Sequence, residues 1–100
     1  YREARAVEDV LRQLGHDPSL VLFDVEKIRE FAQRGAISLL LLVDNITSIL
    51  NPKVYGLLNE TLIEVEGHGG TVILVNSKSE AGKKLRSLGG IVAMLRYKIF

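Results

Sequence analysis

Cysteine and tryptophan are absent from this sequence, and its 100 residues include only two prolines, two histidines and one methionine. Without cysteine there is no disulfide, no thiolate metal site and no cysteine nucleophile. Two histidines, His16 and His68, leave almost nothing for a zinc site or a histidine-based triad. Long apolar runs are missing too. The longest uncharged one, residues 36–43, falls far short of the roughly 20 residues a membrane helix needs, so the chain reads as one that does not span a bilayer. There is no initiator methionine and no signal-peptide pattern. The chain opens at Tyr1 on an amphipathic stretch, which reads as a domain excised from a longer protein.

What is present is the composition of a folding domain. Hydrophobic residues make up 47% and charged residues 25%, whereas disordered chains carry too little apolar surface to offset their ordering entropy. One hundred residues accommodate one core, so residues 1–100 read as a single domain. The net charge is +1 but unevenly placed. From Asn76 onward Lys78, Lys83, Lys84, Arg86, Arg96 and Lys98 face the single acid Glu80, while the preceding part holds seven basic residues against eleven acids. A basic tail of this kind serves RNA, an acidic protein surface, or nothing beyond solvation.

Residues 2–14 place Ala6, Val7, Val10, Leu11 and Leu14 at spacings of three and four, with Arg2, Glu3, Asp9, Arg12 and Gln13 on the other side. This predicts an amphipathic helix stopped by Gly15. His16, Asp17 and Pro18 form a turn, and residues 20–23 read as the first strand. Asp24 is placed to cap a second helix that carries Val25, Ile28, Phe31 and Ala32 and ends at Gly35. Ile37–Val43 is apolar at nearly every position, as a central strand covered on both faces requires. After a connection over residues 44–50, Asn51 and Pro52 supply a cap and a first helical residue for a third helix reaching Gly67. Thr71–Val75 reads as a further buried strand. Ser77 and Glu80 have the spacing of a capping box, opening a fourth helix with Ala81, Leu85 and Leu88 inward and Lys83, Lys84 and Arg86 outward. Residues 91–99 read as a last strand that is an edge or half-exposed one, because Arg96 and Lys98 alternate there with Leu95, Tyr97 and Ile99. The alternation of helices and strands predicts an α/β fold, a three-layer α/β/α sandwich around a small, mostly parallel or mixed sheet.

Few residues offer chemistry. The pairs Gly69, Gly70 and Gly89, Gly90 precede strands, whereas a phosphate cradle needs glycines between a strand and a helix N-terminus, so they read as turn glycines. Residues 76–79 do run from a strand end into a helix, and capping is the favoured role there. Asp44 sits where α/β sheets place ligand groups, but one carboxylate without a second acid, base or metal partner is not a catalytic site. His16 and His68 read as exposed turn residues.

The ending carries a resemblance. Leu88 to Ile91 (Leu-Gly-Gly-Ile) and Leu95 to Tyr97 (Leu-Arg-Tyr), behind a helix bearing Lys83 and Lys84, resemble the C-terminal domain of the Pelota family of ribosome-rescue factors. They are also similar to archaeal and eukaryotic class-1 release factors. The likeness extends upstream through Asp17 and Pro18, the helix ending at Arg34, Gly35 and Ala36, and residues 39–44, and so covers essentially the whole chain. The short connections favour Pelota, since release factors of this class commonly insert a minidomain here. Phe23 and Asp24 depart from a Tyr-Gly pair frequent in the family.

The resemblance implies a fold shared with kink-turn-binding ribosomal proteins. Their signature, similar to Gly-x-Asn-Glu-x-x-Lys at the start of the second helix, is absent: Asp24, Glu26, Lys27 and Glu30 stand there. Three acids would repel phosphates, so direct RNA contact by this domain is disfavoured. It further implies a cytoplasmic, non-enzymatic docking domain, with no cofactor and no metal, in a factor that recognises stalled ribosomes, with roles in no-go decay and mRNA surveillance. The implied partners are an elongation-factor-1-alpha-like GTPase, an ABC-type ribosome-recycling ATPase and the ribosome. Expected contact residues are Lys83, Arg86, Ser87, Leu88, Gly89 and Arg96. The alternatives are the C-terminal domain of a class-1 release factor, a kink-turn-type RNA-binding protein, or a small enzyme using Asp44.

Overall fold

A computed structural model of the chain describes residues 3–97. In chain order the elements are α1 (Glu3–His16), β1 (Val21–Leu22), α2 (Val25–Gln33), β2 (Ile37–Val43), α3 (Tyr55–Gly67), β3 (Thr71–Val75), α4 (Glu80–Ser87) and β4 (Ile91–Leu95). Short 3-10 turns at Pro18–Leu20, Ile46–Ser48 and Pro52–Val54 join them. The strands form one sheet in the order β1-β4-β2-β3. β2 and β3 are parallel, Leu39 facing Thr71 through to Val43 facing Val75, while β4 runs antiparallel to both β1 and β2. The sheet is therefore mixed.

Hydrophobic periodicity decides the layers. β2 is buried at every position except half-buried Ser38, whose hydroxyl donates to the Met94 carbonyl at 3.1 Å. Such a strand needs cover on both faces. α1 packs with α4, and α2 packs with α3, where Arg29 Nε meets Glu60 Oε2 at 2.8 Å. The fully buried side chains come from all three layers: Val7 and Val10 of α1, Ile28 of α2, Leu40 and Leu41 of β2, Leu85 of α4 and Val92 of β4. Each such residue gains about 1.5–3 kcal/mol from leaving water, which is offset largely by chain entropy. The predicted three-layer α/β sandwich is the observed one.

The structure differs from the sequence reading in several places. The last strand is interior, not an edge: it ends at Leu95, and Ile91, Val92 and Ala93 are buried between β1 and β2. The alternation that implies an edge begins only at Leu95 and extends into residues after the strand; Lys98 and Ile99 lie outside the described residues. β3, read as buried, is an edge strand, as β1 is at the other side, with Leu74 57% exposed. An apolar run records composition, not the number of neighbouring strands. The first strand shortens to Val21–Leu22, and α1 continues through Gly15 to His16. Asp24 occupies the N-cap of α2 without a side-chain capping bond. Asn51 does cap, accepting from Lys53 N–H at 3.0 Å, but it opens a 3-10 turn ahead of α3.

Candidate docking surface

α4 begins on a set of self-satisfied backbone donors. Ser79, not Ser77, is its N-cap: the Ser79 Oγ accepts from Gly82 N–H at 3.0 Å. Just upstream, Asn76 Oδ1 accepts from Lys78 N–H at 2.9 Å and Asp44 Oδ1 from Ser77 N–H at 3.2 Å. The amide groups of residues 76–78 therefore donate to side chains of the protein and that of Ser79 to the Asn76 carbonyl, the capping role, rather than being offered to an anion. Asp44 has the same part to play. Its carboxylate ties the end of β2 to the segment leaving β3, and its own N–H donates to the Val75 carbonyl at 2.9 Å. Among the described residues no group of three or more His, Asp or Glu side chains is placed to hold a metal ion.

Leu85, fully buried, and Ala81 anchor α4 against the sheet, and Gly82 lies so close to residue 76 that a Cβ there would stand 1.9 Å from the Asn76 carbonyl oxygen. The opposite side of the helix is left to solvent. Lys83, Lys84, Arg86 and Ser87 are exposed, with the Ser87 hydroxyl donating to the Lys84 carbonyl at 2.6 Å. Lys84 and Arg86 in the last turn suit the negative end of the helix dipole. The helix then closes through half-buried Leu88 into Gly89 and Gly90, whose φ angles of 110° and 88° exclude ordinary side chains. Gly90 is pinned, its carbonyl accepting from Val43 N–H at 3.0 Å. Gly89 stays exposed, and the space where a side chain would project from it is open to at least 4 Å.

Ion pairs among the described residues join Arg12 to Asp9, Arg29 to Glu60 and Arg34 to Glu30, and His68 Nε2 stands 3.5 Å from Glu64 Oε2. Lys78, Lys83, Lys84 and Arg86 take part in none of them. Lys78 and Lys84 extend the surface beyond the contact residues expected from sequence; the run of cations from Asn76, with Glu80 as its single acid, is the signal that contains them.

Five of the six expected contact residues, Lys83, Arg86, Ser87, Leu88 and Gly89, are contiguous on α4 and its exit turn. Arg96 is not with them. It lies at the other end of β4, about 20 Å away at ~3.4 Å per residue, and its guanidinium is engaged with backbone. Nε donates to the Gly35 carbonyl at 3.1 Å and Nη2 to the His68 carbonyl at 3.0 Å, while its N–H donates to the Ala36 carbonyl at 2.7 Å. His68 is exposed in the α3–β3 turn, 3.5 Å from Glu64. His16 closes α1 and lines a shallow groove with Asp9, Arg12, Gln13 and Met94.

Known proteins share this fold. Residues 1–99 match the family described as eRF1 domain 3. A Pelota homolog from Methanothermobacter thermautotrophicus is 36% identical over 97 residues, covering 97% of this chain and 26% of the relative. A ribosome-bound archaeal Pelota solved with ABCE1 superposes with a TM-score of 0.79 at 30% identity, over 98% of this chain and 27% of that one. Dom34 of S. cerevisiae, a translation termination-like factor of RNA quality control that interacts with Hbs1, gives a TM-score of 0.85 at 26% identity, over 98% of this chain and 28% of its own. The chain thus spans about a quarter of the length of the relatives it matches. With its sheet order, its Gly89, Gly90 exit turn and its full-length match in hand, the chain belongs to the eRF1 domain 3 family, in the form carried by Pelota proteins.

Proposed function

We propose that this chain is the C-terminal domain of a longer, cytoplasmic ribosome-rescue factor, and that it works as a non-catalytic docking module. In this reading the factor recognises stalled ribosomes together with an elongation-factor-1-alpha-like GTPase, and supports ribosome recycling by an ABC-type ATPase and no-go decay of the mRNA. The observation that carries the docking role is the set of exposed cations Lys83, Lys84 and Arg86 on a helix anchored by buried Leu85, with Lys78 in the turn that leads into it, none in an ion pair among the described residues. Unopposed charge on a rigid element favours fast, salt-sensitive association with an acidic partner surface. The proposed contacts are Lys83, Arg86, Ser87, Leu88 and Gly89, with Arg96 assigned to holding the fold.

Protein is favoured over RNA because Asp24, Glu26 and Glu30 are found around the start of α2, where phosphates would be repelled. The test is a titration of the chain against such a GTPase in its GTP form at low and moderate salt, with the double variant Lys83→Glu and Arg86→Glu alongside. Binding that weakens with salt and is lost in a variant of unchanged circular dichroism is the expected result. Equal affinity for wild type and variant would remove α4 from the interface.

A further inference from the structure

The open edge of the sheet carries none of the usual protection. Thr71–Val75 contains no proline, glycine or charged residue, and Leu74 stands 57% exposed on it. Natural edge strands are usually blunted by lysine, proline or a bulge, because their free N–H and C=O groups otherwise invite another strand. The direction of those groups follows from one bond. Asp44 N–H donates to the Val75 carbonyl, so Thr71, Ile73 and Val75 turn their backbone polar groups toward β2, and Val72 and Leu74 turn theirs outward.

We infer that this edge is a self-pairing surface, whose occupant is β3 of a second copy of the chain in antiparallel register about Ile73. That register sets Val72 opposite Leu74 of the second copy and Leu74 opposite its Val72. These are the outward-facing residues, so each pair exchanges two hydrogen bonds and Leu74 is covered. The flanking charges agree with a two-fold arrangement. α3 packs along β3, begins just after Lys53 and ends at Glu66 and Gly67. Two antiparallel copies bring the Glu66 end of one α3 toward the Lys53 end of the other. Both residues are exposed, and neither is ion-paired among the described residues. A two-fold interface has to be self-complementary in this way. Its small extent makes the dimer weak and concentration-dependent.

Sedimentation equilibrium of the 100-residue chain from micromolar to millimolar concentration tests this directly. The expected result is a monomer that shifts toward a dimer as concentration rises. Leu74→Lys should abolish the shift, as should Val72→Pro, which removes an N–H that does not serve the β2 ladder; both should keep the wild-type circular dichroism spectrum. The chain has no cysteine, so Ile73→Cys gives a clean positional probe. It should form a covalent dimer on oxidation, since the residue meets its own copy at a Cα separation of about 4.5 Å, whereas Thr71→Cys should not. A monomer at every concentration, a dimer that survives both edge variants, or equal cross-linking at positions 71 and 73 would overturn the inference. Capture of an unrelated apolar peptide by a chain that stays monomeric would likewise overturn it.

Discussion

Arg96 Nη2 donates a 3.0 Å hydrogen bond to the carbonyl oxygen of His68, 28 residues away in sequence. With the second bond from Nε to Gly35, the one side chain joins the α2–β2 turn, the α3–β3 turn and the end of β4.

Arg96→Ala should therefore act on stability rather than on partner binding. Two charge-assisted bonds at an exposed site are worth about 1 kcal/mol together, less than the ~1.5–3 kcal/mol of a buried equivalent. For a domain of this size that lowers Tm by roughly 4–8 °C. Thermal melts of Arg96→Ala and Arg96→Lys check it, the lysine recovering only part because it lacks the planar fork. A loss of GTPase affinity with unchanged Tm would return Arg96 to the interface.

The two serines ahead of α4 separate cleanly. Ser79→Ala should cost about 1 kcal/mol by removing the acceptor of Gly82 N–H. Ser77→Ala should cost little, because the bond at residue 77 uses its backbone N–H and the Asp44 carboxylate. Urea denaturation of both variants is the measurement, and an equal loss in each would contradict the observed cap.

Two helical glycines should respond with opposite signs to alanine. At Gly56, where a methyl meets nothing within 4 Å, the substitution should stabilise by up to ~1 kcal/mol through helix propensity. At Gly82 the same gain is outweighed by a Cβ 1.9 Å from a backbone oxygen, a clash that cannot be relieved by rotating a side chain, and the net cost should be roughly 2 kcal/mol. Denaturation midpoints showing Gly82→Ala as stable as wild type would mean that α4 lies farther from residue 76.

Leu85→Ala removes the fully buried anchor of α4 and should cost about 2–5 kcal/mol. Because the proposed contacts Lys83 and Arg86 sit on the same helix, binding to the proposed GTPase partner should weaken with it. Equilibrium unfolding separates this from Lys83→Glu, which should change binding and leave the unfolding midpoint within about 0.5 kcal/mol of wild type.

Periodicity and punctuation in the sequence determined most of the fold by themselves. The spacing of Val7, Val10, Ile28 and Leu85 places helices, and the unbroken run Ile37–Val43 places an interior strand, because burial demands apolar side chains at the period of each element. The basic character of α4 was legible for the same local reason, as was the Gly89, Gly90 turn. Tertiary packing alone settles which strands lie at the sheet's edges, that Ser79 rather than Ser77 caps α4, and that the Arg96 guanidinium bonds to backbone carbonyls at the far end from Lys83. Each of these depends on which partner stands across a gap in space: β3 has one neighbour and β4 has two, and the carbonyls that hold Arg96 come from residues 35 and 68. A side chain's own sequence neighbours set its local conformation, whereas its charge or hydrogen bonds are committed by elements the chain brings together only on folding.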